Sequence, residues 1–407
     1  MTTLQNQAAR TALDIAHNLR SPDTITRTVS ERAAHTLCYG LAGTALLHAC
    51  LAHTDPASAR LAAEHWDAAA HHLGNAPADG IHTGPGALAA SLIIGTGYLP
   101  TPHTHRTTLT RATTWLSARV HALAHHHRER SAHHQATPWA VYDTIKGLTG
   151  IGRILLAAHH RGQHAEAEPG LTAALSALTH MILTPHGKRP GWWIPADLHP
   201  STVEVPATGA ATTGLAHGIA GPLALLSIAH HAGHTVPGQT DAIHTAAQWL
   251  LTRQTPDHTW PPHISAKTLD NPATRTPSTA EGRTTAWCYG TPGIATALTH
   301  AALTTGHRPF RRTAEHAMNA LAARPPSQWD TEGSALCHGS AGVLHSARRL
   351  ACPELARLAA NSTLDSTPAR RPEGFLTGRA GTALVLADLG ALLPQPDDPW
   401  DSILLIS

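Results

Sequence analysis

Apolar positions along this chain gather in short Ala/Leu-rich blocks, and a Gly-x-x-Gly opens nearly every block. Six copies read GLAGTALLHA (40–49), GLTGIGRILLAA (147–158), GIAGPLALLSIA (218–229), GTPGIATALTHA (290–301), GSAGVLHSARRL (339–350) and GRAGTALVLADL (378–389). A looser seventh, HTGPGALAASLI, covers 82–93. The last glycines stand at 43, 86, 150, 221, 293, 342 and 381, so the period runs from 39 to 72 residues. Each interval holds a further amphipathic segment, such as TTLTRATTWLSARVHALA (107–124) or IHTAAQWLLTRQ (243–254).

A repeat of this kind decides the architecture. Alternation of β-branched and aromatic residues is rare, and Pro/Gly clusters separate helical patterns rather than strands. Each repeat therefore predicts a helix pair. Pro222 and Pro292 fit only the first turn of a helix, which puts the Gly-x-x-Gly at its start. Seven pairs form either an open solenoid or a closed ring. Neither terminus reads as a polar capping repeat, which favours closure. In a ring the glycine-led helices form a parallel inner set. Their N-termini then face one mouth, where aligned dipoles favour thiolates and other anions.

Composition fits this picture. The chain has 407 residues and only 4% aromatics, so Ala and Leu must build the core. The whole length, 1–407, is expected to form one toroidal domain. A net charge of +2 gives no reason to expect nucleic acid as a partner. The 34 histidines scatter through polar stretches and read mainly as compositional bias. Five widely spaced cysteines do not suggest a disulfide framework, and MTTLQNQAAR has no apolar core of a signal peptide. No run of eighteen apolar residues suggests membrane insertion. A reduced, cytoplasmic protein is the expectation.

The residues preceding each Gly-x-x-Gly are the candidates for chemistry. They are Cys38-Tyr39, the His82 loop, Asp143 with Lys146, Ala216-His217, Cys288-Tyr289, Cys337-His338 and Leu376-Thr377. Cys288 and Cys337 hold the same offset on consecutive repeats, two residues before the first glycine. With His338 they make a sensible zinc triad that leaves a fourth tetrahedral position open. The spacing alone is a weak signal; the matched offset strengthens it. His217 is open to three readings: a fourth ligand, a satisfied core histidine or an acid/base. Asp143 is either functional or a helix N-cap. GWWIP (191–195) reads as a loop whose paired Trp192 and Trp193 either grip an apolar peptide or serve as core or lid.

AHGIAG (216–221), AWCYGTPG (286–293) and LCHGSAG (336–342) resemble the signature motifs of the lanthionine synthetase C-like proteins, and YDTIKGLTGI (142–151) resembles a fourth. The glycine pattern extends the resemblance over essentially the whole chain. It implies an all-α, α/α toroid of seven inner and seven outer helices. It also implies one catalytic zinc held by Cys288, Cys337 and His338. The implied reaction is zinc-dependent addition of a peptide cysteine thiol to dehydroalanine or dehydrobutyrine, giving a lanthionine or methyllanthionine ring. By the same resemblance His217 is the acid/base, Asp143 its acidic partner, and Tyr289 a hydrogen-bond donor near the metal. The family often carries an arginine before Trp-Cys; Arg283, five residues before Cys288, is the nearest here. The chain has no room for a fused dehydrating domain, so a stand-alone cyclase is expected. Its partners would be a dehydrated precursor peptide with its leader and a separate dehydratase. Two alternatives keep the fold: a transferase joining glutathione or another free thiol to dehydrated residues, and a non-catalytic peptide-binding scaffold. Cys38, two repeats from the nearest ligand, is expected to be a buried packing residue.

Overall fold

A computed structural model describes residues 3–101, 105–199, 205–270, 284–366 and 372–407. Seven inner helices follow the seven glycine motifs: Leu41–Cys50, Gly84–Gly95, Leu148–His160, Ala220–His231, Thr291–Thr305, Ser340–Arg349 and Arg379–Leu389. Each packs against the next, and the seventh packs against the first. The ring is closed, and the fold is an α/α toroid.

An outer helix covers each inner one. Ala57–His71, His164–Leu183, Gln239–Arg253, Arg308–Ala322 and Pro353–Asp365 pack on inner helices one, three, four, five and six. Arg106–Ala132 lies across inner helices two and three. The N-terminal helix Thr3–Asn18 packs on inner helix seven and completes the outer layer. The two layers differ as burial demands. All ten residues of Leu41–Cys50 are buried. Arg308–Ala322 instead buries one stripe of Phe310, Ala314, Ala317, Met318 and Leu321, spaced for one face of a helix.

The loops before the inner helices join into a belt. Leu37 N donates to His82 O (3.1 Å), Ile81 N to Ile145 O (3.1 Å), Thr144 N to Ala216 O (3.0 Å) and Ala216 N to Cys288 O (2.9 Å). Cys288 N then donates to Cys337 O (3.3 Å), Cys337 N to Leu376 O (2.9 Å) and Phe375 N to Leu37 O (2.8 Å). These seven bonds, one per neighbouring pair of repeats, run once round the ring and return to their start.

The belt explains the glycine signature. A Cβ on Gly150 would lie 1.9 Å from Thr144 O, and one on Gly381 would lie 1.8 Å from Phe375 O. The carbonyl six residues back closes on the last glycine of all seven copies. The loop can fold onto its own helix only where no side chain stands between.

Residues 398–407 fill the axis of the ring. Arg153 of inner helix three donates to Asp398 (2.8 Å), Ser402 Oγ (2.6 Å) and Ser407 O (3.1 Å). His345 of inner helix six meets Asp401 at 2.6 Å, and Arg349 meets it at 2.9 Å. Trp400 N donates to Tyr98 Oη at 2.9 Å. Only a segment on the axis can touch inner helices this far apart around the ring. At its upper end Leu404 O accepts from Trp287 Nε1 at 3.1 Å, directly beneath Cys288.

Strands are few, in keeping with the rarity of alternation in the sequence. β1 (Trp193–Ile194), β2 (Ala210–Thr212) and β3 (His263–Ser265) form a small antiparallel sheet in that order. GWWIP is thus partly strand rather than loop. Strands of two or three residues are too short for alternation to register. Trp192 is a core residue, 1% exposed, with its ring 5.1 Å from that of Trp249. Trp193 lies under the Arg189 guanidinium at 4.0 Å.

Candidate functional site

The belt brings the sequence candidates to one mouth. The N-termini of all inner helices point at it, so their dipoles make it favourable for anions. Cys288 and Cys337 occupy equivalent places on adjacent loops and are joined through their own backbone. Both thiols are free of disulfides; Cys288 is buried and Cys337 half-buried. His338 follows Cys337, and its loop folds back so that Glu332 N donates to His338 O at 2.8 Å. His338 Nε2 lies 3.6 Å from Glu332 Oε2, beyond hydrogen-bond length. Two thiols and an imidazole on neighbouring rigid loops are the donor chemistry that tetrahedral zinc takes. The fit to that ion is one of donor type.

Next round the belt lies a polar pair. His217 Nδ1 is 2.6 Å from Asp143 Oδ2. Asp143 is fully buried, and its Oδ1 accepts from Lys146 N (2.7 Å) and Gly147 N (2.9 Å). The carboxylate thus caps the turn before inner helix three and holds the imidazole at once. Asp143 is not the N-cap of inner helix three, which is Gly147; it braces the loop that leads into the helix. Burial raises its carboxyl above the ordinary range; the bonds from His217 and the two amides oppose this. Lys146 turns away and pairs with Asp79 at 2.7 Å.

Aromatic rings wall His217. Trp139 meets it edge-on with centroids 4.2 Å apart, and Tyr289 lies at 5.8 Å. Burial raises the Tyr289 phenol well above its ordinary range, and the charges of Cys288, Asp143 and Cys337 push it the same way. Tyr289 therefore stays a neutral hydroxyl between the thiol loops and the Asp143–His217 pair. His263 of β3 packs 5.8 Å from the Tyr289 ring. Burial, then the charges of His199 and His217, hold His263 down to about 4. Arg283 lies outside the described residues.

Trp139 and His263 are the wall residues that motif reading missed. Trp139 was within reach: it sits one helical turn before Asp143, whose N donates to Trp139 O at 2.9 Å. His263 arrives through the sheet, which left no pattern. Tyr39 is 40% exposed on the mouth, and Cys38, burial and Cys337 raise its phenol to about 12.

Cys38 is buried, and burial pushes its thiol up to about 12. The belt places loop seven between it and Cys337, as the repeat order requires.

No curated protein matches the sequence. Among solved structures the fold superposes on nisin cyclase with a TM-score of 0.79 at 19% identity, covering 97% of this chain and 96% of that one. Residues 33–405 match the family described as Lanthionine synthetase C-like protein, nearly the full length of the ring. The chain belongs to the lanthionine synthetase C-like protein family.

Proposed function

We propose that this protein is a zinc-dependent peptide cyclase of lanthipeptide biosynthesis. It adds cysteine thiols to dehydroalanine or dehydrobutyrine within one dehydrated precursor peptide. The carrying observation is the adjacency of two chemistries on one belt: the Cys288–Cys337–His338 donor set, and the Asp143–His217 pair one loop away.

Cys288, Cys337 and His338 would hold a zinc ion, which would act as a Lewis acid that favours the thiolate form of a substrate thiol. In the addition the thiol loses its proton and sulfur bonds to the β-carbon. The double-bond pair passes into an enolate, and the α-carbon takes one proton, so nothing leaves. His217 fits the proton transfer. Asp143 holds Nδ1, leaving Nε2 as the nitrogen that faces substrate, and the carboxylate stabilises the imidazolium that must form. Tyr289, kept neutral, donates a hydrogen bond towards the developing oxyanion. Trp139 and Tyr289 shield the imidazole from bulk water. Arg283 is assigned a supporting role from its place before Trp287-Cys288. The substrate implies a prior dehydration, hence a partner dehydratase that acts on the same leader-bearing peptide. Among the described residues no helix is long and apolar enough to cross a membrane.

Cyclisation leaves mass unchanged, so the test counts thiols. A dehydrated peptide is incubated with the protein and then alkylated. Loss of alkylatable thiol with the native protein, and retention with Cys337→Ala, supports the reading. Full cyclisation by a metal-free Cys337→Ala protein sinks it.

A further inference from the structure

A second cluster of metal-binding side chains lies at the opposite end of the ring. Inner helix three ends at His160, and inner helix four at His231. Gly162 (φ +80°) and Gly233 (φ +89°) reverse the chain just past each end. These turns bring His159, the start of outer helix three, and His234 to one point. Thirteen residues of helix separate this point from the mouth, about 20 Å at 1.5 Å per residue.

His159 Nε2 lies 3.4 Å from Glu168 Oε2, and His234 Nδ1 lies 3.3 Å from the same oxygen. All three donor atoms fall within 4.8 Å of one another. A tetrahedral ion with bonds of about 2.0–2.1 Å sets its ligands roughly 3.3 Å apart. These two edges match that spacing before any ion enters. His164 stands beside the triad with Nδ1 3.1 Å from His159 Nε2, and its exposed side chain can swing in as a further donor.

The surroundings favour a cation. Two inner helices present their negative C-terminal ends here. Asp398 adds a buried carboxylate, bonded to His160 Nδ1 at 2.9 Å.

The geometry points to a second metal site, formed by His159, Glu168 and His234, that takes a borderline divalent ion of the zinc or cobalt class. It is independent of the mouth. It clasps inner helices three and four through outer helix three.

The test is a chelator-buffered titration of the full chain with cobalt. Thiolate ligation gives a sulfur-to-cobalt charge-transfer band in the near ultraviolet, and a nitrogen/oxygen site gives none. Native protein should bind one equivalent beyond that reported by the band. H159A/H234A should lose that equivalent and keep the band, with circular dichroism confirming the fold; E168Q should weaken it without removing either imidazole. Cys337→Ala should lose the band and keep the extra equivalent. H125A/H126A, a pair of exposed histidines on Arg106–Ala132, should change nothing. Equal cobalt uptake by native protein and H159A/H234A, or equal loss in H125A/H126A, overturns the site and marks the binding as adventitious. Failure of the mouth site would appear separately, as absence of the band in native protein.

Discussion

His217 Nδ1 and Asp143 Oδ2 are 2.6 Å apart, and the same carboxylate accepts two backbone amides at the entry to inner helix three. One side chain therefore serves both the helix start and the histidine. Asp143→Asn separates these duties. Asparagine still offers an oxygen to Lys146 N and Gly147 N, so the melting temperature should change little. Only a carboxylate fixes the tautomer and stabilises the imidazolium, so cyclisation should slow by about 100-fold or more. Unchanged activity with a lowered Tm would reduce Asp143 to a brace of the loop.

The cysteines predict a division. Cys38→Ser should leave zinc content unchanged, because loop seven separates it from Cys337 and burial disfavours its thiolate. Cys288→Ala and Cys337→Ala should each lose the metal of the mouth. Elemental analysis after chelator dialysis decides; zinc loss in Cys38→Ser would make it a ligand and remove the open position that the chemistry uses.

Stability should fall in mild acid. Burial, the first cause in each case, holds His48 and His127 down to about 4 and His82 to about 3. Unfolded, each titrates near about 6.5. From about pH 6.5 down to about 4 the unfolded chain takes protons that the folded one refuses, so stability drops as pH falls. The slope approaches about 1.4 kcal/mol per pH unit for each histidine. Asp398 acts lower: burial opposes its ionisation, but bonds from His160 and Arg153 outweigh it and hold the carboxyl at about 2. Its contribution is present above about pH 4 and is lost as pH falls towards 2. Urea unfolding across this range reads both windows, and a flat profile between about pH 7 and 4.5 contradicts the first.

The axial segment depends on charge pairing. Asp401 is fully buried between His345 and Arg349. Asp401→Ala removes the carboxylate that His345 Nε2 and Arg349 Nε share and should cost about 3–5 kcal/mol. Trp287 rests on the same segment, so zinc affinity at the mouth should weaken with it. A loss below about 1 kcal/mol would show that the segment is not anchored there.

Much of this molecule is visible in its primary structure because the fold repeats. The glycine motifs mark the inner helices, and the shared offset of Cys288 and Cys337 predicts neighbouring loops. Partnerships without a period are not visible. Asp143 and His217 are 74 positions apart, and Arg153 meets Ser407 across 254. Nothing near Asp398 or Asp401 marks them as buried, since their partners are on other repeats. The N-terminal helix shows no glycine motif, although it completes the outer layer. His159 and His234 are hidden differently: with 34 histidines in the chain, two more in polar stretches carry no signal until two turns bring them together.

A circle of seven bonds also has no loose end. In a linear repeat array the terminal units open first and the rest unzip behind them. Here Leu37 N, Thr144 N, Cys288 N and Phe375 N each sit between two equally held neighbours. Their amide protons should exchange with solvent at closely similar rates, all set by one opening event, with no repeat melting ahead of the others. A graded series of rates, fastest beside Leu37 and Phe375, would mean that the join between the first and last repeats behaves as a seam.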